Sequence, residues 1–346
     1  MINLSKEIRI PTNVLNKHMI VGGATGTGKT VTLQKLTDEF NKQGIAYVIT
    51  DNKGDVSAGN FNNIITLPSQ PLNRLDPDVV AKLLDLNNTQ ASVLKVVFKA
   101  EPEIYTWEEL RMILQYVYHK PEAVKQFGLV SSVTVAVILR QMMNYDETFM
   151  DRLFTPTGTF NPLDLLGKQT VMDCRELVEH REVYASIMIG MIDTLYTNLP
   201  EAGDLDKPKL VLIIDEVHML FNGISQLLLD KITQRIRLIR SKGVSVVFAS
   251  QSSLDVPEDI NAQIATRIQH GVRIYTEKER VKATAIAKGF DLDHKVVLDE
   301  ITNLGIGEVV FKTLDGQTGI PTQRVKAKVD LPRFSLEPRV EIYRRR

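Results

Sequence analysis

The sequence has a single cysteine among its 346 residues, so it cannot form a disulfide within the chain. Such sparse cysteine usage is typical of a reducing compartment. The cysteine, Cys174, ends the largely apolar stretch TVMDC, which favours a buried and inert thiol over a reactive one.

The chain also lacks an excess of charge of either sign, because 42 Lys and Arg residues balance 42 Asp and Glu residues. This balance argues against a surface covered in basic charge for nucleic acid, although it permits a local basic patch or pore. No apolar run approaches the ~18 residues of a membrane span. The first residues, MINLSKEIRIPTN, are too polar for a signal peptide. We therefore expect a cytoplasmic protein with no membrane span.

Short apolar runs alternate with helical segments along the chain. Apolar residues make up 43% and charged residues 24%, as in ordinary soluble proteins with a sizeable core. The runs are nearly continuous in Val and Ile, as expected of strands covered on both faces of a parallel sheet. The alternation predicts an α/β fold with a doubly wound, mostly parallel sheet. The predicted strands are HMIVGG (18–23), IAYVIT (45–50), KQTVMDC (168–174), KLVLIID (209–215) and VSVVFAS (244–250), and the clearest helices cover 30–44 and 226–243.

We predict four parts in the domain organisation. Residues 1–75 begin the core, and residues 76–165 form a helical insertion, because that stretch has helical period and no clear strand. Residues 166–330 complete the core. Residues 331–346 form an extended basic tail, which could lie on a neighbouring subunit.

Weaker strand signals occupy the C-terminal part of the core. HGVRIYT (270–276) and GEVVFKTL (307–314) are the candidates, with a helix in ERVKATAIAKGF between them. The second candidate begins a predicted hairpin that turns at Asp315 and Gly316.

The stretch MIVGGATGTGKT (19–30) combines an apolar run with four glycines and three threonines. It fits the pattern G-x-x-x-x-G-K-[ST], and it lies between a predicted strand and a predicted helix, as a phosphate-binding loop must. Backbone N–H groups would bind the α- and β-phosphates, Lys29 would reach the β- and γ-phosphates, and the Thr30 hydroxyl would ligate Mg²⁺. An ordinary turn is the alternative, which the strand–loop–helix order disfavours. The predicted nucleotide-binding residues are Gly23, Ala24, Thr25, Gly26, Thr27, Gly28, Lys29 and Thr30.

A second buried strand ends in two acids, in KLVLIIDE. Asp215 is predicted to hold Mg²⁺, and Glu216 to polarise an attacking water as general base, which favours hydrolysis over phosphoryl transfer to another substrate. Acids often end strands, so the pair is specific only together with the phosphate loop. The next strand, VSVVFASQ, ends in Gln251, which we expect between the phosphate strand and the magnesium strand as a sensor of the γ-phosphate.

Charge that develops on the γ-phosphate is often neutralised by an arginine from a neighbouring subunit. The segment QRIRLIRSKG contains three arginines, and Arg240, at its end, is the first choice. We expect the other two arginines, Arg235 and Arg237, to be solvated surface residues. Arg267 and Arg273 are the alternatives to Arg240.

Polar residues near these motifs leave further interpretations open. Asp51, in VITDNKGDVS, either has a functional role, supporting the Lys29 loop or contacting a neighbouring subunit, or simply belongs to a turn with the exposed Lys53. His218 is expected to be structural or to couple the site to a partner, not to act as a catalyst. No histidine has a metal-ligand spacing with a cysteine, so we do not expect a zinc site.

Taken together, these residues resemble the HerA/FtsK superfamily of P-loop ATPases, particularly its bacterial HerA-like helicase and translocase branch. The resemblance covers most of the chain in family order. Its segments are HMIVGGATGTGKTVTLQKL, TDNKGDVS, LDLNNTQASVLKVVFKA, GDLDKPKLVLIIDEVHMLF, RLIRSKGVSVVFASQSSLDVP and ATRIQHGVRIYT.

This resemblance implies a RecA-like P-loop NTPase core that assembles into a homo-hexamer, with ATP and Mg²⁺ bound between subunits. It implies an ATP hydrolase that translocates on double-stranded DNA, often with a nuclease or other effector partner. In this sequence Gly23–Thr30 would be the phosphate loop, Asp215 and Glu216 the metal acid and the base, Gln251 the sensor and Arg240 the arginine that acts in trans.

Two departures from the family pattern leave other functions open. Few residues precede the phosphate strand, so we expect the small N-terminal β-barrel of many HerA proteins to be absent. The neutral net charge means that a DNA pore would depend on local residues such as Lys53. An ATPase ring that assembles or regulates a partner enzyme, as in a defence complex, is the alternative function. A monomeric nucleotide-binding regulator is disfavoured by Glu216 and the candidate trans arginine.

Overall fold

A computed structural model describes residues 1–54, 63–222, 226–290 and 293–332, without the side chains of residues 227 and 228. Within these ranges the chain forms a small two-stranded sheet and one large sheet with helices on both faces. The strands are β1 (Ile2–Asn3), β2 (Arg9–Ile10), β3 (Met19–Gly22), β4 (Tyr47–Asp51), β5 (Asn63–Ile65), β6 (Gln169–Asp173), β7 (Leu210–Ile214), β8 (Val244–Ser250), β9 (Thr266–His270), β10 (Glu308–Lys312) and β11 (Val325–Lys328).

The helices lie mainly between successive strands of the large sheet. They are α1 (Lys29–Gln43), α2 (Pro77–Leu83), α3 (Asn88–Ala100), α4 (Trp107–His119), α5 (Ser132–Met142), α6 (Glu147–Leu153), α7 (Arg175–Val178), α8 (Arg181–Asn198), α9 (His218–Phe221), α10 (Gln226–Ile239), α11 (Glu258–Asn261), α12 (Glu277–Lys288) and α13 (His294–Thr302). Short 3₁₀ turns occupy Val14–Lys17, Leu72–Arg74, Pro121–Val124, Pro162–Leu165, Arg240–Lys242 and Ser253–Asp255. No helix among the described residues has the length and apolar character needed to cross a bilayer.

The large sheet has the strand order β11-β10-β9-β3-β8-β7-β4-β6-β5. The strands from β9 to β5 pair in parallel, while β10 pairs antiparallel with both β9 and β11. This arrangement confirms the predicted α/β fold with a mostly parallel central sheet. Because β3, β8, β7 and β4 are parallel neighbours, the segments that follow them emerge at the same edge.

The central strands are buried on both faces, which explains their continuous apolar sequences. In β7, Leu210, Leu212 and Ile214 join the core on one face of the sheet, whereas Val211 and Ile213 join the core on the other. Helices α2 to α6 and α8 pack on the first face, and α1 and the β1–β2 sheet pack on the second. The helices between β5 and β6 therefore share one continuous core with the sheet.

Most predicted elements occur within one or two residues of their expected bounds, but in the C-terminal part of the core one predicted strand is misplaced and one helix was not predicted. The predicted strand at 270–276 lies earlier, as β9, and residues after His270 leave the sheet. Its partner β3 ends at Gly22, opposite Gln269, so continued pairing is not available. Helix α13 was not expected. The predicted hairpin is present, because β10 and β11 pair antiparallel, and the Asp315 carboxylate accepts hydrogen bonds from the N–H groups of Gln317 and Thr318 in the connection. The predicted tail lies almost entirely outside the described residues.

One buried histidine connects the start of β3 to α10 and β8. The Val246 N–H donates to His18 Nδ1 (3.1 Å), so His18 Nε2 carries the proton and donates to the Ile236 carbonyl (2.9 Å). Burial lowers the pKa of His18 to about 4, and Arg240 acts in the same direction. His18 is thus a neutral, structural group.

The lowered pKa predicts how stability depends on pH. Between pH 6.5 and about 4 the unfolded chain binds a proton at His18 that the folded chain does not, so the free energy of unfolding falls as the pH falls. The contribution is at most about 1.4 kcal/mol per pH unit, and it disappears above pH 6.5. Urea unfolding of wild type and His18→Asn, measured from pH 7.5 to 4.5, should show a shallower slope for the variant. The exposed His119 provides the control His119→Asn, which should keep the wild-type slope. Equal slopes for wild type and His18→Asn would contradict this assignment.

Candidate nucleotide site

The predicted phosphate loop connects β3 to α1 at the carboxyl edge of the sheet. Three of its glycines have positive φ angles, 148° at Gly23, 79° at Gly26 and 110° at Gly28. Side chains rarely adopt such angles, which explains the glycine content of the motif. Gly28 forms the N-cap of α1, so the positive end of the helix dipole adjoins the loop.

Several backbone donors of this loop have no acceptor within the described chain. The Gly23 N–H donates to Ser250 (3.2 Å), and the Ala24 N–H donates to Gly271 (2.9 Å), which attaches the loop to the ends of β8 and β9. The free N–H groups are those of Thr25, Gly26, Gly28, Lys29 and Thr30. Neighbouring N–H groups at a helix N-terminus form an anion site, so this loop fits the phosphates of a nucleotide.

The Lys29 side chain lies across its own loop. Its Nζ donates to the carbonyl oxygens of Gly23 (2.5 Å) and Ala24 (3.2 Å). Burial lowers the pKa of Lys29, while Glu216 and Asp215 oppose that change. Lys29 is thus within electrostatic range of both acids that follow β7.

The buried residues His270 and Thr32 contact each other beside the phosphate loop. His270 Nε2 and Thr32 Oγ1 are 2.9 Å apart, and both residues are fully buried. Burial and the nearby Lys29 lower the pKa of His270 to about 4, so the ring is neutral. A Cβ on Gly23 would lie 2.5 Å from the Cβ of His270, so the close approach of the loop requires glycine there.

The two acids follow β7, separated from the phosphate strand by β8 alone, or about 10 Å. Asp215 Oδ1 accepts the Glu216 N–H (2.9 Å), and its own N–H donates to Thr50 Oγ1 (2.9 Å). Burial and the adjacent Glu216 raise the pKa of Asp215 to about 6. A divalent cation favours the ionised form of such a carboxylate. The Asp215 carboxylate and the Thr30 hydroxyl are oxygen ligands of the kind that Mg²⁺ prefers, and their metal role remains a prediction.

Glu216 has an unusual backbone and an unequal pair of carboxylate oxygens. Its φ of 51° is in the left-handed region, which is rare for a non-glycine residue. Oε1 accepts from Lys53 Nζ (2.8 Å), whereas Oε2 is buried with no hydrogen-bond partner in the described chain. His218 Nδ1 is 3.5 Å from Oε2.

Gln251 follows β8 and is exposed at the same edge. The sheet order agrees with its predicted position, since β8 lies between β3 and β7. Its role as a sensor remains a prediction.

Arg240 lies at the opposite edge of the sheet from the phosphate loop of its own chain. It begins the 3₁₀ turn that precedes β8, its side chain is 48% exposed, and Nη2 is 3.9 Å from Asp204 Oδ1. It cannot reach its own loop from there, so any role in hydrolysis requires a neighbouring subunit.

The alternatives to Arg240 are placed differently. Arg267 is partly buried and donates to the side chain and carbonyl of Asn261, so it is part of the local fold. Arg273 is exposed, and its Nη2 is 4.0 Å from where a Cβ on Gly26 would lie. Arg273 therefore lies beside the phosphate loop of its own chain.

Asp51 takes the turn-forming alternative. Its Oδ1 accepts the Gly54 N–H (2.8 Å), and the side chain is buried.

Several neighbours of the site were not predicted from the sequence: the His270–Thr32 pair, the Lys53–Glu216 contact and the approach of Gly307 to Gly28. Each depends on pairing between distant segments. The only available signal was the presence of polar residues directly after strands.

Comparison with known proteins places this arrangement in a family. The sequence matches the family model described as Helicase HerA-like C-terminal over residues 2–66 and 70–345. The chain belongs to this HerA-like family. The DNA double-strand break repair helicase HerA of Sulfurisphaera tokodaii is 26% identical over 336 residues. That match covers 88% of this chain and 64% of the relative.

Solved structures show the fold of this HerA-like chain. The plasmid coupling protein TrwB in complex with ADP and Mg²⁺ is 17% identical, with a TM-score of 0.68 over 95% of this chain and 89% of that one. VirB4 of Thermoanaerobacter pseudethanolicus is 18% identical, with a TM-score of 0.62 over 90% and 89% of the two chains. The core is therefore a RecA-like P-loop fold, as the sequence resemblance implied.

The close approach at Gly28 predicts a loss of nucleotide binding in Gly28→Ala. A Cβ there would lie 3.2 Å from both Cα and N of Gly307, at a φ that costs an L-residue about 1–2 kcal/mol. We expect the affinity for Mg–ATP, measured with a fluorescent analogue, to fall at least about tenfold because the free N–H groups shift. Gly203→Ala is the control, since Gly203 also has positive φ but has no atom within 4 Å of its Cβ position. Unchanged affinity in Gly28→Ala would show that the loop does not bind the phosphates in this conformation.

Proposed function

We propose that this protein is a ring-forming ATPase that couples hydrolysis of Mg–ATP to translocation on double-stranded DNA. The observation that carries the proposal is the loop of free N–H groups with Lys29, two strands away from the Asp215–Glu216 pair. The 26% identical relative is named as a DNA repair helicase, which supports DNA as the substrate on which this protein acts. A homo-hexamer, and a nuclease or other effector as partner, are part of the proposal.

The roles of the residues follow from their positions. Within the loop Gly23–Thr30, the free N–H groups and the Lys29 ammonium bind the phosphates. Thr30 and Asp215 hold Mg²⁺, which neutralises charge on the β- and γ-phosphates. Glu216 accepts a proton from the attacking water through Oε2, which has no hydrogen-bond partner among the described residues. Gln251 contacts the γ-phosphate side of the site, and Arg240 of a neighbouring subunit stabilises the developing charge.

The alternative is an ATPase ring that assembles or regulates a partner enzyme with little DNA transport of its own. The neutral net charge favours it, because 42 basic residues are fully balanced by 42 acidic ones. The two functions differ in whether DNA stimulates hydrolysis.

Hydrolysis by wild type should be stimulated by duplex DNA, and the stimulation should weaken steeply between about 50 and 200 mM salt.

Glu216→Gln should bind Mg–ATP normally but hydrolyse it at least about 100-fold more slowly than wild type, because the amide cannot accept the water proton. Lys29→Ala, which loses the contact to the β- and γ-phosphates, should lose binding as well as turnover. ATPase rates and nucleotide affinity, measured in parallel, check all three. Salt-independent hydrolysis that no DNA stimulates would exclude the motor function, and wild-type turnover in Glu216→Gln would exclude the base.

A shared site predicts complementation between two inactive variants. Arg240→Ala keeps an intact phosphate loop, and Lys29→Ala keeps an intact arginine, so mixed rings contain some interfaces with both. We expect the mixture to hydrolyse ATP well above the sum of its components. The control replaces Lys29→Ala with the double variant Lys29→Ala/Arg240→Ala, which cannot complete any interface. No gain in the first mixture would argue against a trans role for Arg240.

A further inference from the structure

The contact between Lys53 and Glu216 joins two segments that are far apart in sequence. Lys53 Nζ is 2.8 Å from Glu216 Oε1. The lysine side chain is 54% exposed, but that of the glutamate is only 11% exposed. The buried member of the pair is the residue to which we assign the general base, so the contact fixes a group with a proposed chemical role.

The turn that carries Lys53 is attached on both sides to the core. On one side, the Asp51 carboxylate accepts the Gly54 N–H (2.8 Å). On the other, Asn52 Nδ2 donates to the carbonyl of Asp215 (3.0 Å), the residue before the glutamate. Lys53 therefore approaches Glu216 from a turn in which the neighbouring Asn52 side chain is hydrogen-bonded to the residue that follows β7.

The contact gives the two carboxylate oxygens of Glu216 different environments. Oε1 is held by the ammonium group, and Oε2 is buried without a hydrogen-bond partner among the described residues. A buried carboxylate oxygen without a hydrogen-bond partner is costly and rare in folded proteins, so it calls for an explanation. In a hydrolytic site, accepting a proton from water is such an explanation.

We propose that Lys53 is a positioning residue for ATP hydrolysis, which holds Oε1 of Glu216 so that Oε2 accepts the proton of the attacking water. This inference rests on the proposed function. In the step, the water oxygen forms a bond to the γ-phosphorus, the bond from that phosphorus to the β–γ bridging oxygen breaks, and ADP leaves with the electron pair. The water proton moves to Oε2. In this role Lys53 acts through Glu216, without contacting the nucleotide or the water itself.

An exposed ion pair with no function is the competing explanation. Exposed pairs contribute roughly 0–1 kcal/mol, and they can be removed with little effect. The chain offers a matched example, because Lys95 Nζ is 2.7 Å from Asp78 Oδ1 and its side chain is 46% exposed. Lys95 lies in α3 and Asp78 in α2, and neither residue belongs to the candidate site.

The test compares Lys53→Ala, Lys53→Arg and the control Lys95→Ala in the full chain with Mg–ATP. We expect kcat of Lys53→Ala to fall about 10- to 100-fold, as for a misplaced catalytic group, while KM and the affinity for a fluorescent ATP analogue stay within about twofold. Lys53→Arg should retain more of kcat, because a cation still reaches Oε1, and Lys95→Ala should match wild type. A wild-type kcat in Lys53→Ala, a loss of affinity parallel to the loss of rate, or equal kcat in the Ala and Arg variants would each overturn the proposal.

Glu216→Gln, assayed beside these variants, separates the two claims. If Glu216→Gln is slow and Lys53→Ala is not, the function stands and the positioning role fails. If Glu216→Gln turns over like wild type, the assignment of the base fails, and the role of Lys53 falls with it.

Discussion

The parallel pairing of β4, β7, β8 and β3 is the constraint on which the candidate site depends. Parallel strands bring their carboxyl ends to one edge, so the segments after them meet although they are far apart in sequence. The phosphate loop follows β3, Gln251 follows β8, Asp215 and Glu216 follow β7, and Lys53 follows β4. Buried Val and Ile residues on both faces hold these strands in register. The chemistry at the edge is thus positioned by an apolar core that takes no part in it.

The polar groups at this edge are costly to fold, and the fold compensates for most of them locally. Partial burial and the adjacent Glu216 raise the pKa of Asp215 to about 6, yet its Oδ1 and its N–H both have hydrogen-bond partners. The Ala24 and Gly23 N–H groups are bonded to neighbouring strands. Among the described residues, the groups at this edge left without hydrogen-bond partners include the loop donors and Glu216 Oε2. Those are the groups that phosphate and water would engage.

The sequence alone predicted the parts of the fold that depend on local pattern. Val- and Ile-rich runs identified the central strands, and the glycine pattern with Lys29 identified the loop, because both follow from rules that act within about ten residues. The strand expected at 270–276 was displaced to Thr266–His270, since its limits depend on where β3 ends. Contacts such as Lys53 with Glu216, or His270 with Thr32, join residues over 160 positions apart and have no local signature. Arg240 was chosen from its place before a strand, and the structure adds that only a neighbouring subunit could use it.

The most direct test of the account is particle imaging of the protein with a non-hydrolysable ATP analogue, Mg²⁺ and duplex DNA. The account predicts rings of six subunits with DNA in the central hole. It also predicts the analogue on Gly23–Thr30, with Arg240 of the adjacent subunit facing its γ-phosphate. Isolated subunits, or rings whose hole stays empty while the analogue is bound, would contradict it.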